Sequence, residues 1–128
     1  MPAYDGVRFS PPAPVIEVTL RHPDSGATLA NIPMPIDCGA DATLLPVPSV
    51  DLLGLEAITD IGYEVTGFDG STSISQAIRA DLILLRKTFK GQFLLINQDW
   101  GILGRDVLNH LSLWFDGPHL NWEERRFT

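Results

Sequence analysis

Ile36-Asp37-Cys38-Gly39-Ala40-Asp41-Ala42-Thr43-Leu44-Leu45-Pro46 is the stretch on which the reading of the fold turns. An apolar approach ends in Asp37, a glycine stands two residues later, and the short apolar run Thr43–Leu45 is stopped by Pro46. Gly39 lets the backbone turn tightly and come close to another backbone or a ligand, so the carboxylate of Asp37 is expected on a loop between two strands. By itself an Asp-x-Gly tripeptide also fits an ordinary surface turn.

Outward from this stretch the chain reads as strands. Ile16, Val18 and Leu20 alternate with Glu17, Thr19 and Arg21, the pattern of a half-buried strand. Pro23-Asp24-Ser25-Gly26 supplies turn chemistry, which predicts a hairpin into Ala27–Ile32. Downstream, Ser49–Leu55 has room for a helical turn. Ile61, Tyr63 and Val65 alternate up to Gly67-Phe68-Asp69-Gly70, and the hydroxyl-rich run Ser71–Ser75 follows. That is a hairpin with a glycine-framed tip, expected to project from the body because its side chains are small and polar. Ile78–Leu85 and Phe93–Ile96 are apolar enough for central strands, with Arg86–Gly91 read as a basic turn between them. One further helix is expected in Gly104–Leu111, where Val107, Leu108 and Leu111 share a face and Asp106 favours the N-terminal dipole. Leu111–Phe115 and His119–Trp122 then form a last hairpin about Asp116-Gly117. Residues 1–14 are proline-rich and aperiodic and read as an extended arm, 15–123 as one domain, and 124–128 as a solvated tail.

Composition narrows the function. The chain has 128 residues, 45% hydrophobic and 20% charged, which suits one globular domain with a real core. Nine Lys and Arg stand against sixteen Asp and Glu, a net charge of -7, so nucleic acid is not expected as a partner. One cysteine, Cys38, excludes an intrachain disulfide and a multi-cysteine metal site. His22, His110 and His119 lack metal-ligand spacing, and no metal or other cofactor is expected. No stretch approaches the roughly 18 apolar residues of a membrane span, so no membrane partner is expected. The opening MPAYDGVRFSPPAPV lacks the basic start and apolar core of a signal peptide, and a cytoplasmic location is the expectation.

A second segment separates the two readings of Asp37. Asp99-Trp100-Gly101-Ile102-Leu103-Gly104-Arg105-Asp106-Val107-Leu108 puts two apolar residues before a Gly-Arg-Asp that opens a helix. Asp37-Cys38-Gly39-Ala40-Asp41 together with Ile102-Leu103-Gly104-Arg105-Asp106 resembles the retropepsin-like aspartic proteases, the family of retroviral proteases and their cellular and bacterial relatives. The resemblance runs in order over about residues 15–123 and includes the glycine-framed hairpin between the motifs. It implies an all-β fold, the closed acid-protease barrel with one short C-terminal helix and a flap hairpin.

The resemblance also implies a mechanism. Aspartic proteases use two carboxylates sharing one proton: one takes a proton from water and the other polarises the scissile carbonyl. Two like charges within hydrogen-bond reach cannot both ionise cheaply, which favours a mildly acidic optimum. This chain supplies one such residue, because Asp5-Gly6, Asp69-Gly70 and Asp116-Gly117 lack the apolar approach and the downstream partner segment. A homodimer with Asp37 of each subunit on the two-fold axis follows. In this likeness Gly39 and Ala40 contact the substrate backbone, and Asp41 lines the cleft and pairs with Arg105. Gly67, Phe68, Asp69 and Gly70 form the flap tip over an extended peptide. Cys38, Thr43, Gly104, Arg105 and Asp106 support the site, with Cys38 standing where the family usually has Thr or Ser. The hairpin Leu113–Trp122 is the candidate for the dimer sheet. The alternative from another class is a non-catalytic dimeric β-barrel of the same fold that binds peptides or mediates assembly.

Overall fold

A computed structural model gives the architecture; it describes residues 2–66 and 72–126, and of 59–66 and 72–75 the backbone alone. The elements are β1 (Tyr4–Asp5), β2 (Ala13–Arg21), β3 (Thr28–Pro35), β4 (Leu44–Pro46), α1 (Val47–Leu53), β5 (Ala57–Thr66), β6 (Thr72–Leu84), β7 (Lys87–Ile96), α2 (Arg105–Leu108), β8 (Leu113–Asp116) and β9 (Asn121–Glu124). The fold is all-β. Seven strands form one sheet in the order β1-β2-β6-β7-β4, with β3 added to β2 and β5 to β6, while β8 and β9 make a separate hairpin. The large sheet wraps as a half-barrel.

Period-two alternation decides which residues enter its core. Ile16, Val18 and Leu20 of β2, Ile32 and Met34 of β3, and Ile78, Ala80 and Leu82 of β6 are all buried, as are Leu45, Leu103 and Val107. Between them Glu17 and Arg79 face solvent, while Asp81 of β6 is buried and ion-paired with Arg21 of β2 at 2.9 Å. Trp122 of β9 is buried in the same cluster and donates its Nε1–H to the Val15 carbonyl at 3.3 Å, which docks the terminal hairpin on β2.

Several boundaries differ from the sequence expectation. The helical turn expected at Ser49–Leu55 is α1, which starts two residues earlier because Pro48 lies in its first turn, where a missing N–H costs nothing. Arg86–Gly91 is not a turn. The reversal is only Leu85-Arg86, both at positive φ (49° and 63°), and Lys87–Gly91 belong to β7. Two consecutive positive φ values match the twist of a two-residue hairpin, but neither residue carries the Asn or Gly that usually announces it.

Parts of the expected arm and tail also pair with the domain. Tyr4–Asp5 of the expected arm pairs with Ala13–Pro14, and Tyr4 N–H reaches the Leu120 carbonyl at 2.8 Å. Trp122 N–H donates to the Pro2 carbonyl at 3.0 Å. Glu124 of the expected tail pairs with Leu113 inside the terminal hairpin. Short extended pieces like these pair through their backbones, so apolar periodicity does not reveal them.

Candidate active site

The loop that carries Asp37 is clamped between two strand ends by the segment Gly101–Leu103. On one side Asp37 N–H donates to the Leu103 carbonyl at 3.0 Å, Leu103 N–H to the Pro35 carbonyl at 2.9 Å, and Gly101 N–H to the Pro33 carbonyl at 3.0 Å. On the other side Leu44 and Ile102 exchange two N–H···O bonds of 2.9 Å each. One short segment thus satisfies the backbone of both arms of the loop. This needs very close approach: a Cβ on Gly104 would stand 2.5 Å from the carbonyl carbon and oxygen of Ala42, and one on Gly101 2.6 Å from the Leu44 oxygen. Only glycine fits at these two positions.

Within the loop, Gly39 N–H donates to Asp37 Oδ1 at 2.9 Å, and Ala40 N–H to the Asp37 carbonyl at 3.2 Å. The carboxylate is therefore oriented by a main-chain donor at a half-exposed position, while Cys38, Gly39 and Asp41 are exposed. Arg105 N–H donates to the Ala40 carbonyl at 2.8 Å, and Arg105 Nη1 to the Cys38 carbonyl at 3.1 Å. The start of α2 thus holds the loop by two bonds from one residue.

Behind the loop lies a second brace. Thr43, fully buried, donates its hydroxyl to Asp106 Oδ1 at 2.6 Å and its N–H to Asp106 Oδ2 at 3.0 Å. The same hydroxyl accepts the Gly104 N–H at 3.0 Å, and Asp106 Oδ1 also takes the Val107 N–H at 2.9 Å. Both carboxylate oxygens of Asp106 are bonded, so its charge is held by directed donors in place.

Of the residues singled out in the sequence, Asp37, Cys38, Gly39, Ala40, Thr43, Gly104, Arg105 and Asp106 converge at this place. Asp41 stands on the same loop, but among the described residues it forms no ion pair with Arg105, and that expectation is corrected. The guanidinium turns instead to the Cys38 carbonyl, and Asp106 braces the loop from within. Gly67, Phe68, Asp69 and Gly70 lie outside the described residues. Gly101 was not among the expected site residues; its signal was the Trp-Gly-Ile-Leu-Gly spacing, which places two glycines around the clamping pair. Among the described residues no three His, Cys, Asp or Glu side chains converge as a metal site.

No protein-family model matches the chain, and no curated protein matches it. Solved structures do. EIAV protease complexed with the inhibitor HBY-793 superposes with a TM-score of 0.61 at 18% identity, over 83% of this chain and 91% of that one. The retroviral protease-like domain of Ddi1 from Leishmania major superposes with a TM-score of 0.51 at 12% identity, over 90% of each chain. The fold is retropepsin-like, as the two sequence motifs imply.

Proposed function

We propose that this retropepsin-like chain is a homodimeric aspartic endopeptidase in which Asp37 of each subunit acts on a peptide held in extended conformation. The observation that carries this reading is the half-exposed Asp37 carboxylate, aimed by the Gly39 N–H on a loop clamped at both ends by Gly101–Leu103. Such clamping fixes the carboxylate before substrate arrives, the condition under which a positioned acid or base is effective. One carboxylate of the pair takes a proton from water as the water attacks the peptide carbonyl. The other, protonated, donates to the carbonyl oxygen where negative charge develops.

The second carboxylate comes from a second copy in this reading. The terminal hairpin supports it: Trp114 and Phe115 of β8 and Leu120 are exposed large hydrophobic residues, and among the described residues the outer edge of β8 has no partner strand. Trp122 docks that hairpin on Val15, which lies opposite Pro35 and so two residues from Asp37. An interface on this hairpin would place the two Asp37 loops near one axis. Gly39, Ala40 and Asp41 would meet the substrate, and a cytoplasmic setting, where Cys38 stays a thiol, belongs to the same reading.

The test exposes a complex peptide mixture to the wild type and to Asp37→Asn at several mildly acidic to neutral pH values, with new termini read by mass spectrometry and oligomeric state by sedimentation. Cleavages made by the wild type and absent with Asp37→Asn are expected. A folded wild type that cuts nothing as a dimer moves the assignment to a peptide-binding module. A wild type that cuts as a monomer overturns the shared site.

A further inference from the structure

Among the described residues, no strand covers one edge of the N-terminal half of β7. Its C-terminal part, Leu94–Ile96, is covered by β4, and Leu94 N–H donates to the Thr43 carbonyl at 3.1 Å. Backbone groups alternate between the two edges of a strand, so Gln92, Lys90 and Thr88 direct their N–H and carbonyl groups to the same edge as Leu94. No described strand covers them there, since β4 stops at Leu44↔Leu94 and β6 occupies the opposite edge. Thr88, Lys90 and Gln92 are exposed, and nothing lies within 4 Å of the point where a Cβ on Gly91 would stand. A groove of about 350 Å³ runs along this edge, between Thr88–Phe93 and Val107 and His110 at the end of α2. The Phe89 and His110 rings meet there at 5.9 Å.

Charge picks out the same place. Of the nine Lys and Arg residues, Arg8, Arg21, Arg79, Arg125 and Arg126 are each ion-paired. None of the other four meets a carboxylate in an ion pair among the described residues, and three of these, Arg86, Lys87 and Lys90, fall within one turn of hairpin and the open edge. In a chain of net charge -7 this is a local excess of positive charge without a carboxylate partner, Lys87 Nζ donating only to the His110 carbonyl at 3.3 Å. The carboxylate that borders the groove, Asp106, is already engaged by Thr43 and Val107.

We infer that the open edge of β7 at Thr88–Gln92 docks an extended acidic segment of a partner polypeptide, which adds a strand to the sheet. Edge donors and acceptors spaced two residues apart suit main-chain pairing, and the Arg86, Lys87 and Lys90 charges select acidic side chains in the added strand. The site is separate from the Asp37 loop and does not depend on catalysis.

The test titrates an end-capped octapeptide of alternating Val and Glu into the isotope-labelled full chain and follows backbone amide signals, with peptide integrity checked by mass spectrometry. Saturable shifts of Thr88, Lys90 and Gln92 are expected, weakened by salt and by Lys90→Gln. Methylating one edge-facing amide of the peptide should weaken binding about fivefold, the value of one net hydrogen bond. Shifts confined to residues 37–41, equal binding of the corresponding Val and Lys peptide, or undiminished binding of the methylated peptide would each overturn the inference. So would an unperturbed edge, in which case Lys90 serves only to deter pairing.

Discussion

The Thr43 hydroxyl donates to Oδ1 of Asp106 across 2.6 Å, joining residues 63 positions apart directly behind the Asp37 loop. It is a buried threonine that satisfies a helix-start carboxylate and the Gly104 N–H at once. A threonine and not a valine is required there because both neighbours are polar and enclosed.

Thr43→Val keeps the shape and removes the hydroxyl, leaving the Gly104 N–H and Asp106 Oδ1 each short of a partner. The expected loss is about 3 kcal/mol of folding stability, from the cost of unmatched buried polar groups. Urea unfolding checks it, with Thr43→Ser expected to retain most of the stability. A valine variant as stable as the wild type would show that the brace contributes nothing.

Gly104→Ala drives a methyl group into the Ala42 carbonyl, and rigid backbone must shift to admit it. A loss of about 2 kcal/mol or more is expected, with cleavage activity reduced through displacement of the clamped loop. Gly91→Ala, with nothing within 4 Å of its added carbon, is the matched control and should change stability little. Thermal unfolding of the two variants side by side reads the difference.

Trp114→Ser with Phe115→Ser removes the largest apolar surface from β8. Trp114 carries the Arg125 guanidinium 4.0 Å from its ring centroid, so this contact goes as well. In the proposed dimer this should leave each subunit folded by circular dichroism while sedimentation shifts toward monomer, and the proposed cleavage activity should then fall steeply on dilution. Unchanged sedimentation would move the dimer contact away from this hairpin.

Acid should loosen the contact of Asp5 with the Val7–Arg8 segment. The Asp5 carboxyl is held below its ordinary value, chiefly by the Arg8 backbone N–H and next by the Arg8 side chain. A lowered folded value means stability that is present above the unfolded carboxylate value and lost as pH falls through the folded one. Relative to Asp5→Asn, the wild type should therefore hold an advantage that is constant above about pH 5 and shrinks below about pH 4. Amide exchange of Val7 and Arg8 against pH measures it, and a parallel course for both proteins would refute it.

The strand pattern and the pairing of the candidate loop with its clamp were legible because both are written in short motifs. Alternation in Ile16, Val18 and Leu20 marks β2, and the two glycine-bearing motifs mark the loop and its clamp. The Leu85-Arg86 turn was not legible, since it uses left-handed residues without Asn or Gly and is dictated by the pairing of β6 with β7.

What the sequence determined by itself is the all-β class, the Asp37 loop, the Gly-Arg-Asp helix start and the acidic charge, because each is written in residue type and short spacing. Tertiary structure alone decided that Arg105 holds the Cys38 carbonyl and not Asp41, that Asp106 braces Thr43, that Tyr4, Asp5 and Glu124 pair with the domain, and that no described strand covers the basic β7 edge. Those outcomes depend on which backbone groups meet across dozens of residues. Donors and acceptors are the same on every peptide unit, so only the folded approach of the strands chooses among them.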